Sequence, residues 1–179
     1  ELSCRRQKMQ TEFQRHVPTG TLLNDRWALA KSLGFGDGTS IYDDCLVMGD
    51  VEVGHSCWIG PFCVMDGAHA KLSIGNSTSI AAGTQIYTHD SIARFLTGNP
   101  NLRNVRAVRI GSNCFIGPGA TVGPGTTLGD HCLVAAGCYV EGTFPAFSFI
   151  AGNPAKRVGI VTIVDDEVQI KRLSDGVTH

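Results

Sequence analysis

The stretch "IGSNCFIGPGATVGPGTTLGDHCLVAAGCYV", residues 110–140, carries an aliphatic residue at every sixth position. The same period extends back to Ile41, with a slip of three residues after Met65 and a long interruption after Ile86. The positions are Ile41, Val47, Val53, Ile59, Met65, Ile74, Ile80, Ile86, Ile110, Ile116, Val122, Leu128, Val134 and Val140. An α-helix repeats every 3.6 residues and a strand every two, so neither produces this pattern.

A coil of short strands joined by tight corners does have a period of six. Three hexads close one triangular turn of about 18 residues, and successive turns stack at the roughly 4.8 Å spacing of paired strands. Each aliphatic residue then points inward, with Ile110 above Leu128 and Ile116 above Val134. Glycine follows the aliphatic residue in seven hexads, as corners with close backbone contacts require. The sequence therefore predicts an all-β solenoid, a parallel β-helix of hexapeptide repeats.

The cysteines fit the same pattern. Six of the seven occupy one position, four residues after the aliphatic residue, where other hexads have Thr, Ala or Val: Cys45, Cys57, Cys63, Cys114, Cys132 and Cys138. We expect small, buried, reduced side chains there. Cys114 and Cys132 lie one turn apart, within reach of a disulfide, but parallel stacking and a reducing compartment argue against one.

Composition sets the broad class of the protein. Its 179 residues suit one domain with a short appendage. A charged fraction of 17% and a net charge of −1 argue against a nucleic-acid partner or an anionic-membrane surface. The sequence has no apolar run long enough to span a membrane, and "ELSCRRQKMQ" lacks the apolar core of a signal peptide. We expect a soluble, cytoplasmic protein.

Three regions are predicted along the chain. Residues 1–37 form a helical cap, whose second helix, in "NDRWALAKSLG", has Asn24 or Asp25 as N-cap and Gly34 past its end. Both helices are expected to cover the first turn of the β-helix, which occupies residues 38–158. A protruding loop spans residues 91–109. Residues 159–179 form a C-terminal extension with a terminal pair of strands, "VGIVTIV" and "VQIKRL".

The tandem hexads, "IYTHD" at 86–90 followed by a long insertion, and the closing "AGNPAKRV" at 151–158 resemble the hexapeptide-repeat acyltransferases. The resemblance covers residues 38–158 and is strongest to sugar and polysaccharide O-acetyltransferases such as maltose and galactoside acetyltransferase. It implies a left-handed β-helix, a homotrimer, and acetyl-CoA in a groove between neighbouring subunits. The left hand opposes the usual right-handed crossover and is not readable from the period.

His89 is the predicted catalytic residue. It precedes the segment 91–109, which leaves the solenoid wall and can enclose an acceptor. The resemblance assigns His89 as the general base that takes the acceptor's proton, and imidazole titrates near neutral pH. A histidine in a surface turn is the alternative.

Three further residues are predicted to bind the acceptor. The resemblance implies this role for Asp66 in "VMDG", although Asp-Gly is also a common turn. Asp90 can orient a base or substrate, or be a solvated loop acid. It is not expected to pair with His89, because adjacent strand residues face opposite ways. Tyr87 can stack on a sugar ring, as can Trp58 and Phe95, unless these rings only pack.

The resemblance also implies cofactor contacts. They are the backbone of Gly117 and Gly119, Ala136 beside the pantetheine arm, and Asn153, Lys156 and Arg157 near the phosphates. The two basic residues suit the charge of those phosphates, although a solvated tail is the alternative. The sequence departs from the family pattern twice. It has "EGT" at 141–143 where members often have "TKD", and Pro118 lacks the N–H that is expected to stabilise the tetrahedral oxygen.

The predicted function is direct transfer of an acetyl group from acetyl-CoA to a sugar or polysaccharide-precursor hydroxyl, without a metal or a covalent enzyme intermediate. One alternative is N-acetylation of a nucleotide-linked amino sugar. A γ-type zinc carbonic anhydrase needs three histidines shared between subunits. Four candidates are present, His55, His69, His89 and His131, but no pair has that family's five-residue spacing. A non-catalytic scaffold remains a further alternative.

Overall fold

A computed structural model describes residues 1–173 of the chain, so residues 174–179 of the predicted C-terminal extension lie outside the described residues. The helices are α1 Leu2–Phe13, α2 Thr19–Leu23, α3 Arg26–Ser32 and α4 Ile92–Thr97. The strands are β1 Ser40–Ile41, β2 Leu46–Val53, β3 Trp58–Ile59, β4 Val64–Ile74, β5 Ser79–Ile80, β6 Gln85–Tyr87, β7 His89–Asp90, β8 Asn104–Val105, β9 Val108–Ile110, β10 Phe115–Ile116, β11 Thr121–Val122, β12 Thr127–Leu128, β13 Leu133–Val134, β14 Tyr139–Val140, β15 Thr143–Phe144, β16 Ser148–Gly152, β17 Ala155–Val164 and β18 Glu167–Arg172.

These strands build a three-sided solenoid. One face stacks β1, β3, β5, β10, β13 and β16 in parallel, which gives six rungs. β2 and β4 are long enough to contribute to both other faces, one continued by β6, β11 and β14 and the other by β9, β12 and β15. The predicted stacking is confirmed, because Ile110 pairs with Leu128 and Ile116 with Val134. The architecture is the left-handed parallel β-helix of hexapeptide repeats.

The aliphatic column forms the core. Thirteen of its fourteen residues are at most 3% exposed, and only Val47, near the first rung, is half-buried. Each buried aliphatic side chain contributes roughly 1.5–3 kcal/mol to folding. The hexad cysteines are free thiols that line the same interior, with Cys45 half-buried and the other five buried. Their thiols donate to carbonyls, as Cys57 Sγ does to Gly75 O at 3.1 Å.

The N-terminal helices pack against different parts of the structure. Asp25 caps α3, since its side chain accepts from the backbone N–H groups of Trp27 and Ala28, and Gly34 follows with a φ of 77°. α3 packs on β1 and adds Ala30 to the core, so it covers the first rung as predicted. α1 buries none of its side chains and packs on α2. The expectation that both predicted helices cover the first turn is therefore wrong for α1.

The C-terminal strands leave the coil. β17 runs antiparallel to β16, and β18 runs antiparallel to β17. The terminal strand pair predicted from "VGIVTIV" and "VQIKRL" is therefore present. None of the helices in residues 1–173 has the length and hydrophobicity that crossing a membrane requires.

The two breaks in the repeat meet in space. The slip after Met65 lies in β4, where the pairing with β2 jumps from Gly49–Gly67 to Val51–Leu72, so residues 68–71 bulge from the wall. The long interruption follows β6, which is the parallel neighbour of β4, and Asp66 pairs with Tyr87. The bulge of β4 and the root of the protruding loop therefore lie side by side.

Candidate active site

The root of the protruding loop is a short antiparallel ladder. β7 pairs with β8, with His89 opposite Val105 and Asp90 opposite Asn104. The Asp90 carboxylate accepts from the side-chain amide of Asn104 at 2.7 Å and from the backbone N–H of Ile92 at 3.0 Å. Asp90 therefore holds the two ends of the loop together.

A second set of contacts ties the loop to the β-helix. Arg106 donates to the Asn104 side chain at 3.0 Å and forms a 2.5 Å ion pair with Glu141, which also accepts from the Tyr139 hydroxyl at 3.0 Å. Partial burial and this bond to Glu141 raise the pKa of Tyr139. Glu141 belongs to the "EGT" segment that departs from the family pattern, and here it anchors the loop.

His89 and Asp66 lie together beneath the loop root. The Asp66 carboxylate is 5% exposed, and its Oδ2 lies 3.3 Å from Nδ1 of His89. This distance suits an ion pair with a protonated imidazole, but the N–H direction is too bent for a hydrogen bond, so Nδ1 is a buried atom without a hydrogen-bond partner. Catalytic hydrogen bonds are often long or bent before substrate binds. Asp66 Oδ1 is fixed by the backbone N–H of Ala68 at 2.9 Å.

The other nitrogen of His89 is the accessible one. The ring is 22% exposed, and within residues 1–173 Nε2 neither has a hydrogen-bond partner nor is sealed from solvent as Nδ1 is. With a carboxylate behind Nδ1, the favoured tautomer keeps the proton on Nδ1 and leaves a lone pair on Nε2. The arrangement can accept a proton at Nε2 and stabilise the resulting imidazolium through Asp66.

Two residues that the sequence did not assign to the acyltransferase site complete the cluster, and one of them, His69, was considered there only as a zinc ligand. His69, on the bulge of β4, packs edge-on against His89 with ring centroids 4.3 Å apart. Arg103, near the end of the protruding loop, places a guanidinium nitrogen 3.2 Å from Nε2 of His69. Arginine only donates, so His69 Nε2 is the acceptor in this contact and its ring is neutral. The slip of the hexads at this point was the available signal for His69.

The aromatic candidates have other contacts. The Tyr87 hydroxyl donates to the Gln85 side chain at 2.7 Å, on the outer face of β6. Trp58 packs edge-on against Tyr42, with centroids 6.4 Å apart. Phe95 on α4 is 79% exposed, with Arg94 over its ring. Tyr87 is thus the strand partner of Asp66, whereas Trp58 is 38% exposed on the outer face of β3.

The predicted cofactor residues separate into two groups. Gly117 is buried, and a Cβ at this position would lie 2.6 Å from the backbone nitrogen of Ala136. Because glycine has no side chain, the two coils can stack here. Gly119 has a φ of 67° and nothing within 4 Å of a built Cβ, and Ala136 is exposed on the next rung. The N–H groups of Gly117 and Gly119 donate to Val134 and Ala82. The surface beside Gly119 and Ala136 is therefore open, but those two N–H groups are occupied.

The other three cofactor candidates lie at the last rung. Asn153 is in the turn between β16 and β17, and Lys156 and Arg157 follow on β17, opposite Ala151 and Ile150. All three are exposed. Within residues 1–173, neither Lys156 nor Arg157 forms an ion pair. Their charges are available to a phosphorylated ligand.

Metal ligation has no candidate cluster within the described part of one chain. In residues 1–173, no three His, Cys, Asp or Glu side chains are grouped closely enough to hold a metal ion. The guanidinium of Arg103 also contacts Nε2 of His69, so in this arrangement that nitrogen is not available to a metal ion. The carbonic anhydrase alternative therefore depends on histidines contributed by neighbouring subunits.

Comparisons with known sequences find one family model and two relatives. A family model, bacterial transferase hexapeptide (six repeats), matches residues 107–142. The carnitine operon protein CaiE of Proteus sp. (strain LE138) is 23% identical over 139 residues. The match covers 75% of this chain and 70% of the length of CaiE. The mitochondrial gamma carbonic anhydrase 2 of Arabidopsis thaliana is 28% identical over 135 residues, covering 68% of this chain. This chain spans 47% of that relative's length.

Solved structures have the same architecture. AntD, an N-acyltransferase from Bacillus cereus in complex with dTDP and 3-hydroxybutyryl-CoA, superposes with a TM-score of 0.63 at 18% identity, covering 78% of this chain and 72% of AntD. A maltose O-acetyltransferase from Clostridium difficile 630 gives 0.51 at 20% identity, covering 97% and 89%. The predicted resemblance is thus confirmed at the level of the fold: the chain is a hexapeptide-repeat β-helix protein with the architecture of these acyltransferases.

Proposed function

We propose that the protein is an acyltransferase that moves an acetyl group from acetyl-CoA to a hydroxyl of a sugar or polysaccharide precursor. The observation that carries the proposal is the imidazole of His89, which offers Nε2 to the surface while Asp66 lies 3.3 Å behind Nδ1. This pair lies at the root of the protruding loop, where an acceptor can be enclosed.

The reaction needs one proton acceptor. His89 Nε2 takes the hydroxyl proton as the acceptor oxygen forms a bond to the thioester carbonyl carbon. The carbon–sulfur bond then breaks, and the leaving thiolate takes the proton from the imidazolium to give the CoA thiol. General-base assistance of this kind accelerates a reaction by about 10²–10⁴-fold. Pro118 has no N–H for the developing oxyanion, and the N–H groups of Gly117 and Gly119 are bonded, so another donor serves there.

The donor is proposed to lie along the open surface beside Gly119 and Ala136, with Asn153, Lys156 and Arg157 near its phosphates. The CoA complex of AntD supports this choice of donor. Lys156 and Arg157 supply positive charge against the pyrophosphate. We propose a cytoplasmic location, a compartment that contains acetyl-CoA.

A homotrimer is part of the proposal, because a single chain offers His89 an open surface. A cavity of about 300 Å³ lies among the N-terminal helices beside Phe13, Trp27 and Tyr42, and His89 is not among the residues that line it. On the loop, Phe95 is 79% and Leu96 is 82% exposed. A neighbouring subunit packed against these side chains would supply the missing wall of an acceptor pocket.

Transfer to the amine of a nucleotide-linked amino sugar is the second candidate. AntD variants have been solved in complex with dTDP-4-amino-4,6-dideoxyglucose and coenzyme A, and this chain superposes on one with a TM-score of 0.61 at 14% identity. The same base at His89 suits an amine, whose proton also leaves as the acyl bond forms. Asp90 and Tyr87 are proposed to contact the acceptor in either case.

The test combines donor binding with product identification. Calorimetric titration with acetyl-CoA should show saturable binding. CoA thiol release is then measured with sugar hydroxyl and nucleotide-linked amino sugar acceptors, and mass spectrometry with hydroxylamine treatment separates esters from amides. An ester product supports the leading proposal, and an amide supports the second candidate. Absence of acetyl-CoA binding would contradict both.

A further inference from the structure

The protruding loop carries an unusual charge. Residues 91–109 contain Arg94, Arg103, Arg106 and Arg109 and no Asp, Glu or Lys. The other 160 residues therefore hold eleven of the fifteen basic residues and all sixteen acidic ones, a formal net charge of −5 against +4 for the loop. In a chain that is nearly neutral as a whole, the segment that borders His89 therefore has a net positive charge that no acidic residue within it offsets.

These arginines are not equivalent. Arg106 is neutralised by Glu141. Arg94 lies 5.7 Å from the centre of the Phe95 ring on α4. Arg109 is exposed on β9, within the solenoid wall. Arg103 alone among the four contacts the histidine cluster in the described residues, through Nε2 of His69, and it forms no ion pair in residues 1–173.

The contact with His69 orients Arg103 without using up its charge. A neutral imidazole accepts one of the five guanidinium N–H bonds, and the other four remain available because the side chain is exposed. His69 packs against His89 at a centroid distance of 4.3 Å, so the guanidinium lies one aromatic ring from the proposed base. A planar guanidinium with a free edge is suited to paired bonds with a carboxylate or a phosphate.

We infer that Arg103, oriented by His69, binds an anionic group of the acceptor, a phosphate or a carboxylate, beside the hydroxyl or amine that reacts at His89. This inference rests on the proposed function and narrows it to acidic or phosphate-bearing sugars. Removing the guanidinium would leave the phosphate or carboxylate of the bound acceptor unpaired. We therefore expect KM for that acceptor to rise by about tenfold to a hundredfold.

The experiment compares matched acceptors with three variants of the full-length chain. Glucose, glucose 1-phosphate and glucuronic acid are each assayed for acetyl transfer, which separates phosphate from carboxylate recognition. Arg103→Gln removes the charge but keeps a donor for His69, and Arg103→Lys keeps the charge but loses the planar fork. Arg94→Gln is the control, since it removes the same charge from the same loop away from His69. Calorimetric binding of each sugar and of acetyl-CoA is measured for every variant.

The inference predicts that at least one anionic sugar is preferred to glucose by wild type and that Arg103→Gln abolishes this preference through KM, with kcat and CoA affinity little changed. Arg103→Lys should restore part of the preference, and Arg94→Gln should retain it. Equal use of glucose and both anionic sugars would overturn the inference, as would equal effects of Arg103→Gln and Arg94→Gln. A loss of CoA affinity in Arg103→Gln would also overturn it, because Arg103 would then bind the donor.

Measuring binding as well as turnover tests the proposed acetyl transfer and the anion site at Arg103 separately. If no sugar is acetylated but wild type binds an anionic sugar that Arg103→Gln does not, the proposed function fails and the anion site stands. If sugars are acetylated without regard to charge, the proposed function stands and the anion site fails.

Discussion

Replacing Asp66 by Asn tests whether this carboxylate supports the charge that develops on His89. Oδ2 lies 3.3 Å from Nδ1, and an effective dielectric constant of about 20 is suitable for such a pair even where it is buried. Coulomb's law then gives roughly 5 kcal/mol for two full charges. With about half of a proton transferred in the transition state, about 2.5 kcal/mol is lost, which is about 70-fold in kcat. Asn keeps an oxygen for the Ala68 N–H, so the fold should be little changed.

The assay measures kcat and KM for CoA release, together with the thermal unfolding temperature. Asp50→Asn is the matched control, because Asp50 is an exposed carboxylate on the adjacent strand β2 and its replacement changes the net charge equally. We expect kcat to fall for Asp66→Asn and to stay within about twofold for Asp50→Asn. A large rise in KM for the acceptor at unchanged kcat would refute the reasoning and would return Asp66 to the acceptor-binding role predicted from the sequence.

Three further predictions concern packing, thiol ionisation and the loop. Gly117→Ala, whose Cβ would lie 2.6 Å from the Ala136 backbone nitrogen, should lose about 1–3 kcal/mol, more than Gly119→Ala, which faces open space and bears only the strain of its positive φ. Thermal melts test this, and the reverse order would contradict the stacking. Burial raises the pKa of Cys57, so above about pH 8.5 the unfolded chain releases a proton that the folded chain keeps, and stability falls with rising pH by up to about 1.4 kcal/mol per pH unit. Urea unfolding between pH 8 and 10 should show a shallower slope for Cys57→Ser, and an unchanged slope would be contrary to this reasoning. Glu141→Gln should speed hydrogen exchange in residues 91–109 with less than about 1 kcal/mol lost, because the Arg106 pair is half-exposed; unaltered exchange would show that the pair does not anchor the loop.

The solenoid could be predicted from the sequence because each hexad specifies its own corner and its own inward residue. The six residues of one hexad are enough to predict that its aliphatic side chain, such as Ile116 or Val134, points inward. Stacking then repeats the same arrangement in each turn. The helix α1 shows the limit of such reasoning. Its residues favour a helix, but where a helix packs depends on contacts distant in sequence, and α1 packs on α2 rather than on the first rung.

The candidate site could be predicted only in part, for a related reason. His89 lies where the period stops, and the resemblance of "IYTHD" to the acyltransferases suggested its role as the base. Asp66 pairs with Tyr87 one rung on, and adding the three-residue slip to the length of a turn would have placed its side chain near His89. His69 and Arg103 meet through a bulge and a returning loop, 34 residues apart in the sequence, and no periodicity describes either segment. Breaks in a regular repeat therefore mark the site, and the structure is needed to show which broken segments touch.

The most direct test of the central claim is single-turnover acetyl transfer by His89→Ala, with acetyl-CoA binding measured on the same preparation. The account predicts that the rate of acetyl transfer falls by about 10²–10⁴-fold while the affinity for acetyl-CoA is unchanged. An acetyl-transfer rate within a few-fold of wild type would contradict the assignment of the imidazole at position 89 as the base.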